Sequence, residues 1–179
     1  METSQIYVGI DVSKLCFDVA IPSSKGYAHH QFSNDEKGFK SFLKTLSVLE
    51  RCQIVMEATG PYYLRLACYL HQAQLAVSVI NPLVIRRFCQ MRMSRAKTDK
   101  KDAIMISEYG KTEQPLLWTP EPDYVLALRQ MQAAVELLDQ SRTDIIRQLE
   151  AFNQNPFLCK DVMRAHHASL RHPMFANKE

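Results

Sequence analysis

Glycine is scarce in this chain: 5 in 179 residues, never gathered into a run. Loops that cradle nucleotide phosphates in backbone N–H groups need closely spaced glycines, so ATPases built on such loops are excluded. Cysteine is no richer in pattern. Cys16, Cys52, Cys68, Cys89 and Cys159 are odd in number and scattered, with no Cys-x-x-Cys pair. Neither a disulfide framework nor a zinc knuckle follows, and reduced, buried thiols are expected. No apolar run reaches membrane-spanning length, and the first apolar segment is short and interrupted by Asp11. That pattern argues against a signal peptide or a membrane span and leads to the expectation of a cytoplasmic protein. A dominant charge is missing as well. The net charge of +3 and pI near 8.6 permit a local basic surface without demonstrating nucleic-acid binding.

What remains is an ordinary globular composition, 46% hydrophobic, in a length that suits one main domain with an appendage. Gln5 to Val12 is a short run of β-branched and aromatic residues that reads as a buried strand with an acid, Asp11, near its end. Ser13-Lys14 supplies a turn into a second strand from Leu15 to Ile21, pairing as an antiparallel hairpin, and a third strand covers about Tyr27 to Phe32. Ser33-Asn34-Asp35-Glu36 signals a helix start, followed by Phe39, Phe42, Leu43 and Leu46 at helical spacing. Cys52 to Glu57 is a further apolar strand, again ending on an acid. Pro61 suits the first turn of a helix reaching about Gln74, and Leu75 to Ile80 is a strand closed by Asn81-Pro82. A helix is expected from Leu83 to about Met93 and another from Thr98 or Asp99. This order is mixed α/β.

The stretch Lys97-Thr98-Asp99-Lys100-Lys101-Asp102 sets two acids three residues apart, on one face of a helix. Like charges so close are tolerable when solvated, the commoner circumstance, or when a divalent cation sits against them. Asp11 and Glu57 sit at strand C-terminal ends, where open α/β sheets place their sites. Singly, Asp11 reads equally well as a turn-forming acid and Glu57 as a cap for the next helix. Together with Asp99 and Asp102 they could hold one or two Mg²⁺ ions against a phosphodiester. Between Arg86 and Lys101 the chain also carries Arg87, Arg92, Arg95, Lys97 and Lys100, with Asp99 as the only acid. Arg86, Arg87, Arg92, Arg95 and Lys97 are candidates for phosphate contacts, the alternative being a solvated helix face.

Gln114-Pro115 and Thr119-Pro120-Glu121-Pro122 mark a connector that contains the only tryptophan, Trp118. Beyond it Leu128, Met131, Val135, Leu138, Ile145, Leu149 and Phe152 recur in three- and four-residue steps, interrupted by Arg142. This heptad stripe reads as a partner surface, or as a helix packed on the domain. The tail from Phe157 holds Cys159, His166, His167 and His172 without ligand spacing, and a solvated or weakly helical segment is expected there.

Tyr7-Val8-Gly9-Ile10-Asp11-Val12-Ser13-Lys14, Met56-Glu57-Ala58-Thr59-Gly60, Val79-Ile80-Asn81-Pro82 and Lys97-Thr98-Asp99-Lys100-Lys101-Asp102-Ala103 occur in that order. From about Ile6 to Glu150 the chain thereby resembles the DEDD transposases of the insertion-sequence-110 type and the related Piv-like DNA invertases. The resemblance implies a ribonuclease-H-like, RuvC-like domain over residues 1–115, a Pro-rich connector over 116–124, a coiled-coil-like helix over 125–153 and a tail over 154–179. It implies Asp11, Glu57, Asp99 and Asp102 as an acidic tetrad for Mg²⁺ in DNA recombination, a structured guide (bridge) RNA, and homo-oligomers joined through the 125–153 helix. Family members carry a further C-terminal domain with a serine that attacks DNA. Ser169 matches nothing in that motif, so a truncated member or free-standing first domain is expected. Its alternative role is a non-catalytic module that binds nucleic acid or a full-length transposase and inhibits it.

Overall fold

The computed structural model of the chain describes residues 5–49, 51–92 and 99–172, with Asp99 and Lys100 described by backbone alone. Two compact units result, Met1–Pro120 and Glu121–Glu179. In the first, β1 (Ile6–Val12), β2 (Cys16–Ser23) and β3 (Gly26–Ser33) precede α1 (Glu36–Leu46). Then β4 (Cys52–Glu57), α2 (Tyr63–Gln72), β5 (Ala76–Ile80), α3 (Pro82–Met91) and α4 (Asp99–Glu113) follow. The strands form one 5-stranded sheet in the order β3-β2-β1-β4-β5. β1 pairs parallel with β4, and β4 with β5, whereas β2 runs antiparallel to both of its neighbours. This mixed sheet with flanking helices is the α/β architecture expected.

Alternation along the strands decides what each sheet face holds. Val8, Ile10, Val12, Phe17, Val19, Ile54 and Met56 point to one side, where Phe39 and Phe42 of α1 and Leu66 and Leu70 of α2 close over them. Each such buried side chain contributes about 1.5–3 kcal/mol. Tyr7, Val55 and Ile80 point to the other side and meet Ile85 of α3 and Ile106 of α4. Two glycines set how closely α4 lies on that second face. A Cβ on Gly9 would come within 2.1 Å of the Ala103 carbonyl oxygen and 2.4 Å of the Ser107 nitrogen, both backbone atoms. One on Gly110 would meet Val55 Cγ2 at 2.8 Å. Ser107 Oγ completes the contact by donating to the Tyr7 carbonyl.

Local chemistry starts the helices where expected. Asp35 caps α1, its Oδ1 accepting from the Gly38 N–H at 2.9 Å and from Ser33 Oγ at 2.8 Å. Those two donors hold the Asp35 carboxyl below its ordinary range, the Gly38 N–H contributing most. Asn81 caps α3 by accepting from Leu83 N–H at 2.8 Å, with Pro82 in the first turn. That helix ends at Met91, earlier than expected, and Met93 lies outside the described residues. Residues of the Pro-rich stretch are tied to β5. Trp118 N–H donates to the Val77 carbonyl, Ser78 Oγ to the Leu116 carbonyl, and Trp118 packs against the first core.

The second unit is a helical hairpin. α5 (Asp123–Asn153) runs 31 residues, and α6 (Lys160–Leu170) follows a short turn. The tail thus contains one regular helix of 11 residues. Met163, His166 and Leu170 lie at helical spacing and are partly covered. His166 Nε2 donates to Gln148 Oε1 at 2.6 Å and its ring stands 5.8 Å from that of Phe152. On α5 Leu128, Met131 and Val135 are 60%, 65% and 56% exposed, while Leu149 is buried. No helix among the described residues is long and apolar enough to cross a membrane.

Gly9→Ala is expected to destabilise the chain by about 3 kcal/mol, the upper range for overpacking against atoms that cannot rotate away. A denaturant titration measures it, and an unchanged midpoint would refute the close approach. Asp35→Ala is expected to lower Tm at neutral pH. Because the folded pKa is depressed, the cap's contribution is complete above the unfolded carboxylate range and is lost as pH falls through the folded value. The difference in Tm between the two proteins therefore shrinks on acidification.

Candidate functional site

Asp11 and Glu57 meet because two parallel strands carry them in step. Ile10 is paired with Met56, so one residue further on Asp11 stands beside Glu57, roughly 5 Å away along the hydrogen-bonding direction. Both belong to the face that α3 and α4 cover, as the positions of Tyr7 and Val55 require. Both are half-buried, and Glu57 Oε1 accepts from Thr59 Oγ1 at 3.0 Å.

α4 brings the third carboxylate. With Ala103 and Ser107 over Gly9, and Gly110 over Val55 and Tyr7, the helix runs opposite to β1. Its N-terminus therefore lies at the C-terminal ends of β1 and β4. Asp102 adjoins Ala103 and is half-buried. The partly positive helix N-terminus favours anionic side chains in this turn. A thiol registers how near these groups are. Cys89 of α3 packs against the second core, and its pKa is raised by burial first, then by the charges of Asp102 and Glu57. The charges of Asp102 and Glu57, carried by different elements, are thus both felt at Cys89. Asp99 starts α4, three residues before Asp102, and its side chain lies outside the described residues.

The donor set, all carboxylate oxygens at the mouth of a sheet, suits a hard divalent cation such as Mg²⁺. Among the described residues no three His, Cys, Asp or Glu side chains form a group that could hold a metal ion by themselves. Asp99, the remaining candidate ligand, falls outside that set.

Of the candidate phosphate contacts, Arg86 and Arg87 of α3 are exposed, on the side of the helix away from buried Ile85 and Phe88. Exposed Arg92 donates to Thr112 Oγ1 at 3.2 Å and its guanidinium lies 5.0 Å from the Phe88 ring centroid. Arg95 and Lys97 lie outside the described residues.

Two further residues of this region, Asp18 and Cys89, belong to none of the sequence motifs. Asp18 was not legible as a neighbour of Asp11: a two-residue Ser13-Lys14 turn with the second strand from Leu15 sets Asp11 opposite Cys16, whereas β2 starts at Cys16 and the observed register, shifted by two residues, pairs Asp11 with Asp18. Nor was Cys89, because only the packing of α3 against β5 and α4 turns it toward the acids.

The chain is similar to known proteins. A family model described as a transposase, that of the insertion-sequence-110-type DEDD enzymes, matches residues 8–155. The pilin gene-inverting proteins of Moraxella bovis and Moraxella lacunata are each 33% identical over 129 residues, covering 70% of this chain and 40% of theirs. The chain therefore spans about two fifths of the length of these curated relatives. Among solved structures, T. thermophilus RuvC in complex with a Holliday junction substrate aligns at a TM-score of 0.48 and 8% identity, over 64% of this chain and 100% of that one. With the family model running from β1 through α5, this chain belongs to the insertion-sequence-110-type DEDD transposase family.

Proposed function

We propose that the first unit is the acidic domain of a DNA recombinase, in which Asp11, Glu57, Asp99 and Asp102 hold Mg²⁺ for work on DNA phosphodiesters during transposition. The observation that carries this reading is the lateral register of Asp11 with Glu57 beneath the N-terminus of α4. The sheet holds the first two carboxylates in fixed separation, and α4 brings Asp102 from the side of its N-terminus. When bound, Mg²⁺ would neutralise charge on a phosphodiester and polarise a water. Arg86, Arg87 and Arg92, joined by Arg95 and Lys97, would bind the DNA backbone, which fixes its position without reading its sequence. A structured guide RNA would use the same phosphate chemistry.

The exposed apolar side chains of α5 support a second role, joining copies of the chain into homo-oligomers. The same stripe favours the alternative reading, a non-catalytic module that captures a full-length transposase. Inhibition of such a partner that survives Asp11→Ala would select the module over the enzyme.

Mg²⁺ is expected to stabilise the chain by about 2.7 kcal/mol at a hundredfold excess over its Kd, and Asp102→Asn to gain clearly less at the same concentration. A wild-type melting curve indifferent to Mg²⁺ would remove the metal site. Replacing Arg86, Arg87 and Arg92 together by Gln is expected to weaken duplex DNA binding. The slope of log affinity against log salt should fall by roughly 2.7, at about 0.9 for each phosphate no longer neutralised. An unchanged slope would leave these arginines as a solvated face.

A further inference from the structure

The sheet face under α4 carries one more acid. Asp18 of β2 is the register partner of Asp11, and such partners project from the same face with Cβ atoms roughly 5 Å apart. It is 5% exposed, more deeply buried than Asp11, Glu57 or Asp102. Two side chains of β3 hold it. His29 Nε2 donates to Asp18 Oδ1 at 2.7 Å, and Gln31 Nε2 donates to Oδ2 at 3.2 Å and to Oδ1 at 3.4 Å. The β2–β3 register makes this clamp, pairing Asp18 with Gln31 and Ala20 with His29. α4 packs over β2 on this face and reaches β3, where the Tyr27 hydroxyl donates to Glu108.

Folding alone does not call for a carboxylate here. Burying one costs several kcal/mol before its partners repay it, and a well-packed apolar replacement of a buried ion pair is commonly neutral or stabilising. A second carboxylate directly across from Asp11 adds like-charge repulsion. The neighbouring pair on the same face, Gly9 with Ala20, shows the small apolar alternative that the sheet uses one step away. The arrangement gains a purpose when a cation sits in front of Asp11, because a fixed negative charge behind a ligand strengthens the field that the cation feels. The same charge lies toward the partly positive N-terminus of α4, which carries Asp99 and Asp102.

We propose that Asp18, clamped by His29 and Gln31, is a positioning residue of the acidic site: it raises the site's affinity for a divalent cation through Asp11 and through the start of α4, without ligating the ion. The inference rests on the reading of that site as a cation site. Mg²⁺ binding measured by calorimetry, together with Tm without and with Mg²⁺, tests it on the full chain. The proteins compared are wild type, Asp11→Asn, Asp18→Asn, His29→Gln and His29→Ala. Asp18→Asn keeps the size and one acceptor while removing the charge. It is expected to lose about tenfold in Mg²⁺ affinity, the lower range for groups that support a ligand. Its Tm without Mg²⁺ should stay level or rise as the repulsion with Asp11 is relieved. His29→Gln, which keeps an N–H donor, is expected to retain more affinity than His29→Ala. That pair of variants decides the matter should Asp18→Asn fail to fold. A merely structural Asp18 would lower Tm equally with and without Mg²⁺ at unchanged affinity, which overturns the inference. Loss of binding in Asp11→Asn with full binding in Asp18→Asn overturns it alone. A wild type that does not bind Mg²⁺ overturns it together with the cation site.

Discussion

The structure depends on one close approach, that of α4 to β1 across Gly9. The Ala103 carbonyl and the Ser107 nitrogen occupy the space in which any other residue would place its Cβ. Because those are backbone atoms, the spacing of helix and sheet is set by the main chain and cannot be recovered by rotating a side chain. From that contact follows the direction of α4, the position of its first turn over the ends of β1 and β4, and the placing of Asp102 toward the acids of the sheet. A helix lying a few ångströms higher would keep the same hydrophobic pattern and lose the arrangement of charges.

Charge and burial are balanced at this place rather than minimised. Acids gather where parallel strands end and a helix begins, so each gains something from the backbone: Asp11 and Glu57 a rigid separation, Asp102 a helix N-terminus. Cys89 reports the balance, its proton held more tightly by burial and then by the charges of Asp102 and Glu57. Asp18 is treated differently. It receives N–H donors from His29 and Gln31 and is withdrawn from solvent, as a buried carboxylate must be. Exposed arginines stand on α3, the helix that carries Cys89, so cations and acids share neighbouring elements while keeping opposite exposures.

The second unit follows another rule. α5 keeps its apolar stripe in solvent over most of its first half, with Leu128, Met131 and Val135 all more than half exposed. Heptad spacing in a 31-residue helix is suited to a neighbouring helix, and α6 meets α5 at Gln148 and Phe152, toward the C-terminal end of α5. The described part of this unit thus leaves apolar side chains exposed, whereas the first unit closes on its own two cores.

The sequence alone determined the order of elements from β1 to α5 and the helix starts at Asp35 and Asn81, and it singled out the acids proposed for the site. Those rest on local physics: alternation in strands, the reach of Asp35 and Asn81 to nearby N–H groups, and glycine or proline where the chain turns. The same locality made the β1–β2 hairpin legible but not its register, so the pairing of Asp11 with Asp18 came only with the structure. It did not reveal α6 as a regular helix, because its stability draws on contact with Phe152 and Gln148, which no short window contains. Nor could it show that Trp118 and its neighbours would bond to β5 instead of standing free as a connector. Tertiary structure alone decided that Glu57 lies beside Asp11, 46 positions apart by the Ile10–Met56 register, and that the N-terminus of α4, with Asp102, lies at the same end of the sheet. The physical reason is that pattern specifies which face of an element is apolar, while the parallel register and the depth of helix on sheet arise only when several faces are buried at once.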